Sequence, residues 1–131
     1  MENRPHTLSK DERMSQKILI DSLFTGGNKS FSSFPLRVVY KEIESDKGLP
    51  RASVLISVPK KNLKRAVNRN RVKRQVREAY RKYKYLLLDV LEEKQKHLLV
   101  AFIWIHHDLK DSTIVDQTVK NLLLHITEHI K

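Results

Sequence analysis

The sequence predicts an α+β fold, a two-layer sandwich in which helices cover a small mixed sheet. Segments with the apolar period of helices and of strands follow in the order helix, strands, helix, strand, helix. A chain of 131 residues with 40% hydrophobic side chains suits one core. We therefore expect a single domain over residues 8–131, preceded by a flexible polar segment of residues 1–7.

The first predicted helix ends at about Phe24. Ser9 and Glu12 have the spacing of a capping box, in which two side chains satisfy free backbone N–H groups at the helix start. Gly26 or Gly27 is expected to end the helix, because glycine adopts the left-handed conformation that is common after a helix.

Two strands are predicted between this helix and the basic part of the chain. Residues 34–43 alternate apolar and polar side chains, which indicates a half-buried strand, and a short segment around Phe31 is a candidate to pair beside it. Residues 46–50 contain glycine and proline and have the composition of a turn. Residues 51–58 form the next predicted strand, which Pro59 would end.

A helix with two distinct faces is predicted over residues 68–84. Helical spacing brings an apolar set to one side: Val72, Val76, Ala79, Tyr80 and Tyr83. The opposite side carries Asn70, Arg74, Arg77 and Arg81, with Lys73 and Lys84 at its margin. We expect this helix to dock on the core and to present guanidinium groups outward, and residues 86–94 would extend it or form another short helix.

The last two predicted elements are a buried strand and a terminal helix. Residues 98–105 contain no polar side chain, which favours a central strand covered on both faces. Thr113 and Asp116 have the spacing of a cap and would start a helix through Ile130. Its inward side chains are predicted to be Val115, Val119, Leu122, Leu123 and Ile126.

The positive charge of the chain is concentrated in residues 60–84. This segment holds twelve Lys or Arg residues and one acid, Glu78, and its net charge of +11 equals that of the whole chain. A concentrated basic patch indicates a polyanionic partner, and the planar fork of arginine suits phosphate oxygens. A merely solvated helix face would carry more acids among its basic residues.

Composition bears on several other classes of function. The chain has no cysteine, which excludes disulfides, thiolate zinc sites and cysteine nucleophiles and is compatible with the cytoplasm. No window approaches the roughly 18 apolar residues of a membrane span. A polybasic membrane-surface helix is a weaker alternative, since the valine, alanine and tyrosine face of the basic helix suits docking on a sheet. Nucleic acid is the favoured partner.

The basic segment resembles the RNR signature of the bacterial ribonuclease P protein family. It contains the triplet Arg69-Asn70-Arg71, the pair Lys73-Arg74, then Arg77 and the aromatic Tyr80, and it follows a strand that ends Ser57-Val-Pro-Lys-Lys. The resemblance extends to residues 8–24 and 34–40 and covers most of the chain to about Arg81. Two segments depart from the family pattern: Lys64-Arg65 replaces a frequent Gly-Asn pair, and residues 84–97 form a longer connection.

The resemblance implies an α-β-β-β-α-β-α order with a left-handed β-α-β crossover that carries the basic helix, contrary to the usual right-handed rule. It also implies a cytoplasmic ribonucleoprotein whose catalytic RNA, assisted by magnesium ions, hydrolyses precursor tRNA at the 5′ end of the mature sequence. The protein would be the non-catalytic subunit. It would have no membrane or DNA partner and no catalytic or metal-binding residue of its own.

Two binding surfaces follow from the resemblance. The catalytic RNA would be contacted or attracted by Lys60, Lys61, Lys64, Arg65, Arg69, Asn70, Arg71, Lys73, Arg74, Arg77 and Arg81. A cleft between the first helix and the sheet would receive the single-stranded 5′ leader of precursor tRNA at Ile20, Phe24, Leu36 and Tyr40. Aromatic side chains suit this task because they stack on bases of any identity. Without the resemblance, these four positions would be predicted as core.

Other functions stay open on the residues alone. The basic helix would equally serve a stand-alone RNA chaperone or a ribosome-associated protein. It would also serve as a DNA recognition helix, although its place between strands does not match a helix-turn-helix. Residues 125–129 fit an H-x-x-E-H metal-hydrolase pattern that is too short to be specific, and His106-His107 is expected in a turn.

Overall fold

The computed structural model describes residues 17–43 and 50–130, which form three helices and four strands. In chain order these are α1 (Lys17–Phe24), β1 (Lys29–Ser33), β2 (Leu36–Ile43), β3 (Ala52–Ser57), α2 (Ala66–Lys94), β4 (His97–Trp104) and α3 (Ser112–His129). The order confirms the predicted α-β-β-β-α-β-α arrangement. The predicted cap at Ser9 and Glu12, the segment 1–7 and most of the turn at residues 46–50 lie outside the described residues.

One mixed sheet holds the four described strands, in the order β1-β2-β4-β3. β2 pairs antiparallel with both β1 and β4, while β3 runs parallel to β4. β4 is therefore central, as its unbroken apolar sequence predicts, and all its residues except Ile103 are buried. The parallel pair is joined through α2, which makes α2 the crossover helix of the β-α-β unit, and the handedness of this crossover stays a prediction.

Different helices cover the two faces of the sheet. Alternate residues of β4 point to opposite sides, so Val100 and Phe102 belong to the core under α2 and α3, whereas Leu99 and Ala101 belong to a smaller core under α1. Val39 of β2 is buried in the smaller core. The prediction that β2 is buried on one face only is therefore wrong at Val39. The reason is that α1 covers the second face of the sheet there.

α2 is one continuous helix of 29 residues. It begins at Ala66, two residues before the predicted start, and runs through residues 85–94, so the longer connection is an extension of the basic helix. It ends at a left-handed Gln95, after which the Lys96 amide donates to the carbonyl of Leu91 at 2.9 Å. Its fully buried side chains span both halves: Val72, Val76, Ala79, Tyr80, Leu87 and Leu91. Neither α2 nor any other described helix is both long and apolar enough to cross a membrane.

Two glycines end α1. Gly26 and Gly27 have φ values of 107° and 72°, in the left-handed region that a residue with no Cβ adopts without strain. The Asn28 side chain then donates to the carbonyl of Leu23 at 2.8 Å and satisfies an acceptor at the helix end. The predicted glycine stop is confirmed.

α3 starts earlier than its predicted cap. The residue before its first turn is Asp111 rather than Thr113, so the predicted cap is wrong, and Asp111 makes no capping hydrogen bond through its side chain. Instead, Gln75 of α2 donates from Nε2 to the Lys110 carbonyl at 3.2 Å and to Ser112 Oγ at 3.0 Å. This tertiary contact anchors the residues at the start of α3 to α2, and a local sequence pattern does not contain it. Because Gln75 acts as a donor, it does not cap the free N–H groups of the first turn.

A stack of three rings joins the edge strand β1 to α3. Phe31 lies face to face with His125, with ring centroids 3.6 Å apart and an interplanar angle of 10°. His125 stacks in turn on His129 at 4.1 Å. Burial lowers the pKa of His125 below its ordinary value of 6.5, and the neighbouring His129 adds to this shift. At neutral pH His125 is therefore uncharged and packs as an aromatic ring.

Replacing His125 by Phe should keep the stack and remove its dependence on pH. The folded-state pKa of His125 is lowered, so the unfolded chain takes up the proton first as pH falls through about 6.5. The corresponding stability is present at neutral pH and lost on acidification. The free energy of unfolding in urea should therefore fall more steeply between about pH 7 and about pH 5 for the wild type than for His125→Phe.

The control for this measurement is His107→Gln, which removes an exposed histidine outside the stack. In this variant the stability should still fall steeply on acidification, because the ring stack is intact. Parallel curves for the wild type and His125→Phe would contradict the role given to the ring stack.

Candidate nucleic-acid interface

The N-terminal half of α2 has the two faces predicted from its sequence. Docking buries Val72 and Val76 completely, whereas Asn70, Arg74 and Arg77 are exposed on the other side. Because an α-helix repeats every 3.6 residues, burying one side fixes which side chains face outward. The predicted division of this helix into a docking face and an outward basic face is confirmed.

One basic surface joins the loop after β3 to the outward face of α2. Its members are Lys60, Lys61, Lys64, Arg65, Asn70, Arg71, Lys73, Arg74 and Arg77. None of its Lys or Arg side chains forms an ion pair with a residue in the described ranges 17–43 and 50–130. Like charges held together without counter-charges repel one another, so this surface favours binding of a polyanion.

The start of α2 adds to the same positive potential. Arg65 precedes the helix in an extended conformation without capping it through its side chain, and the first turn contains no acidic residue. Backbone N–H groups at the start of a helix carry a partial positive charge. The loop, the helix start and the outward side chains therefore contribute the same sign of charge to one surface.

Arg69, the first arginine of the RNR triplet, has a structural contact. Its Nη1 donates to the carbonyl of Leu63 at 2.9 Å and to that of Lys64 at 2.7 Å. The same loop is folded back by hydrogen bonds from the Asn62 and Leu63 amides to the Pro59 carbonyl, at 3.0 and 3.3 Å. Arg69 therefore positions the basic loop against α2, and this use of its guanidinium was not predicted from the sequence.

Arg81, at the far end of the predicted stripe, is paired within the helix. Its Nε donates to Glu78 Oε2 at 3.1 Å, and a second, closer contact joins its Nη2 to Oε1. This hydrogen bonding holds the pKa of Glu78 below, and that of Arg81 above, its ordinary value. The charge of Arg81 is largely cancelled locally, and Lys82 beside it pairs with Asp116, so the continuous run of uncompensated cations that begins in the basic loop ends at Arg77.

The four predicted leader positions do not come together on one surface. Leu36 and Tyr40 are 1% and 3% exposed in the core under α2 and α3, whereas Ile20 packs on the opposite face of the sheet with α1. Phe24 of α1 is 48% exposed. The reason is strand alternation: positions 36 and 40 share the side of the sheet that faces away from α1. Burial also raises the pKa of the Tyr40 hydroxyl, with a further contribution from Glu42.

One apolar residue of the outward face was missed from the sequence. Val67 is 66% exposed in the first turn of α2. It lies two helical turns before Arg74 and therefore on the same side of the helix as the uncompensated arginines. The sequence did contain a signal for this exposure, because Val67 precedes Arg74 by seven residues. An apolar residue at that spacing falls on the polar face of a docked helix and is predicted to be exposed.

The H-x-x-E-H pattern of residues 125–129 does not form a metal site in the part of the chain that the structure describes. The rings of His125 and His129 stack on each other, and His129 Nδ1 lies 2.8 Å from the backbone carbonyl oxygen of His125. No group of three or more His, Asp or Glu side chains with the arrangement of metal ligands occurs in residues 17–43 and 50–130.

The sequence is similar to known proteins along most of its length. A family model described as Ribonuclease P matches residues 8–125. The ribonuclease P protein component of Porphyromonas gingivalis is 43% identical over 123 residues, which cover 94% of this chain and 88% of that protein. The ribonuclease P protein component of Chlorobium phaeobacteroides is 37% identical over 107 residues, covering 76% of this chain and 73% of that protein.

Solved structures share the fold. The RNase P protein from Thermotoga maritima matches with a TM-score of 0.66 at 23% identity, covering 87% of this chain and 96% of that chain. The Staphylococcus aureus RNase P protein matches with a TM-score of 0.63 at 20% identity, covering 92% of this chain and 98% of that chain. From the family match over residues 8–125 and the 43% identity to a curated relative, this chain belongs to the ribonuclease P protein family.

Proposed function

We propose that this chain is the protein subunit of ribonuclease P and that its basic surface binds the catalytic RNA of that ribonucleoprotein. The observation that carries the proposal is a set of Lys and Arg side chains without counter-charges among the described residues, held on one helix and loop in a member of this family. The complex would remove the 5′ leader from precursor tRNA. Its proposed compartment is the cytoplasm.

Electrostatics accounts for the contribution that we propose for the protein. Catalytic RNA and precursor tRNA both carry one negative charge per phosphate, so their association opposes like charges. The basic surface lowers this repulsion and releases condensed counterions. The benefit should be largest at low magnesium, where fewer cations are available to screen the two RNAs.

Hydrolysis is assigned in this proposal to the RNA. Magnesium ions in the ribonucleoprotein would activate the attacking water. The residues of this chain bind and orient the two RNAs, and none of them acts at the reacting phosphate. Arg69 takes part as a positioning residue, because it holds the loop that carries Lys60 and Lys61.

The leader site is proposed on the α1 side of the sheet, with Phe24 as its stacking residue. Phe24 exposes nearly half of its side chain, which leaves the ring available to a base. Arg37 of β2 is exposed, and by alternation it points to the same side of the sheet as Val39 and α1. Leu36 and Tyr40 are left out of this site because both are buried under α2 and α3.

Reconstitution tests the proposed function. The purified protein, added to its cognate catalytic RNA, should speed cleavage of precursor tRNA at the 5′ end of the mature sequence when magnesium is low. The RNA alone at the same magnesium concentration is the reference. An identical cleavage rate with and without the protein would sink the proposal.

Removing charge from the outward face of α2 should weaken binding of the catalytic RNA in steps. One phosphate contact at about 0.15 M salt is worth roughly fivefold in affinity. We expect Arg74→Gln to lose roughly fivefold in filter binding, and its combination with Arg71→Gln and Arg77→Gln to lose roughly a hundredfold. Lys94→Gln, the same charge change at the other end of α2, should bind like the wild type. Equal losses for Arg74→Gln and Lys94→Gln would contradict the assignment.

Phe24→Ala should affect the leader and leave binding of the catalytic RNA unchanged. Loss of one stacked base should raise KM of the reconstituted enzyme for a long-leader substrate by roughly tenfold. Cleavage of a substrate with a one-nucleotide leader should not change. Ile114→Ala, at a similarly exposed apolar residue of α3, is the matched control and should leave both substrates unaffected. Equal effects of Phe24→Ala on both substrates would rule out this leader site.

A further inference from the structure

The turn between β1 and β2 exposes a phenylalanine. Phe34 is 57% exposed, more than any other aromatic residue that the structure describes, while Pro35 and Leu36 beside it are buried. A single exposed apolar side chain needs no special explanation. This ring, however, belongs to a group of side chains that hold it in place.

Two side chains from the segment after β4 contact the ring of Phe34. His106 meets it edge-on, with ring centroids 4.6 Å apart and an interplanar angle of 75°. Lys110 Nζ lies over the ring at 5.8 Å from its centroid, within the range of a cation–π contact. The ring of the buried Trp104 lies next to that of His106, with the two centroids 6.5 Å apart. We call Phe34, His106 and Lys110 the aromatic platform.

Backbone contacts hold the aromatic platform on rigid elements. The Ile105 amide donates to the Pro35 carbonyl at 3.0 Å and so extends the pairing of β2 with β4 up to the residue next to Phe34. On the other side, Gln75 of α2 donates to the Lys110 carbonyl at 3.2 Å. Because these contacts exist before any ligand binds, binding would cost little further conformational entropy.

The aromatic platform lies at the same end of the sheet as the basic surface. Asn62, in the loop that carries Lys60 and Lys61, donates from Nδ2 to the Trp104 carbonyl at 2.8 Å. Pro35, in the turn between β1 and β2, accepts a hydrogen bond from the amide of Ile105, the residue after Trp104, on the opposite side of β4. About two strand spacings, roughly 10 Å, therefore separate this turn from the basic loop. A strand of RNA bound along the basic surface would pass within reach of Phe34.

We propose that the aromatic platform stacks an unpaired base of an RNA strand bound on the basic surface, with Lys110 contacting a neighbouring phosphate. This inference rests on the proposed function and adds a site outside α1 and outside α2. An exposed flat ring beside a cation matches the two parts of a nucleotide, the base and the phosphate. Stacking tolerates any base, so the platform recognises single-stranded RNA as a class.

Two RNAs share this chemistry, an unpaired segment of the catalytic RNA and the 5′ leader of precursor tRNA. The experiment therefore has two arms. One arm measures the affinity of the protein for the catalytic RNA alone. The other measures KM of the reconstituted enzyme for substrates with a long and with a one-nucleotide leader. A loss in the first arm assigns the base to the catalytic RNA, a loss in the second assigns it to the leader, and either supports the platform.

The informative variants separate ring stacking from apolar bulk. Phe34→Leu keeps the bulk and removes the ring, so it should lose roughly tenfold in one arm. Phe34→Tyr keeps the ring and should behave like the wild type. Leu124→Ala, at an apolar residue of α3 that is 39% exposed, is the control for removal of exposed apolar surface and should change neither arm.

Wild-type behaviour of Phe34→Leu in both arms would overturn the aromatic platform, and so would equal losses for Phe34→Leu and Phe34→Tyr. The wild-type protein is measured first. If it does not bind the catalytic RNA and speed cleavage at low magnesium, the proposed function itself fails. If it does both, and Arg74→Gln weakens binding while Phe34→Leu behaves like the wild type in both arms, only the platform fails.

Discussion

The packing of α2 on the sheet is the contact on which the rest of the structure depends. Val72 and Val76 dock its basic half, and Leu87 and Leu91 dock its second half, all four with no exposed surface. Burial of each such side chain contributes about 1.5–3 kcal/mol before the cost of conformational entropy is counted. The basic half also carries like charges that repel each other. The extension of α2 to Lys94 therefore supplies apolar contacts that hold a self-repelling segment in a fixed orientation.

Charged residues divide into those that join parts of the fold and those left for a partner. Arg51 ties the start of β3 to the end of α2 through Glu92 at 3.1 Å, and Lys96 reaches Glu42 of β2 at 3.1 Å. Arg69 fixes the loop before α2. Such pairs at a surface contribute little to stability individually, about 0–1 kcal/mol each. Their effect is on position: Arg51 and Lys96 join elements at the opposite end of the sheet, and Arg69 holds the loop before α2. The cations of the basic surface are left without counter-charges in the described part of the chain.

The spacing of apolar and polar residues predicted the structure correctly where the conformation of a segment depends mainly on its own residues. The two faces of α2 and the central strand at residues 98–105 follow from local spacing alone, and so does the outward orientation of the basic side chains. The same patterns contain no information on partners from elsewhere in the chain. The loop contact of Arg69 and the start of α3 at the Gln75 side chain are tertiary. Alternation places Leu36 and Tyr40 on one face of β2, but the packing of the whole chain decides which helices cover that face.

In this account the basic loop and the outward face of α2 bind the catalytic RNA, whereas the far end of α2 and the exposed side of α3 do not. Acetylation of lysines in the native protein, followed by mass spectrometry with and without the catalytic RNA, tests it without any substitution. We expect the RNA to slow modification of Lys60, Lys61 and Lys64 strongly and to leave Lys94 and Lys120 nearly unchanged. Equal protection of all five lysines, or protection of Lys94 and Lys120 alone, would contradict the claim.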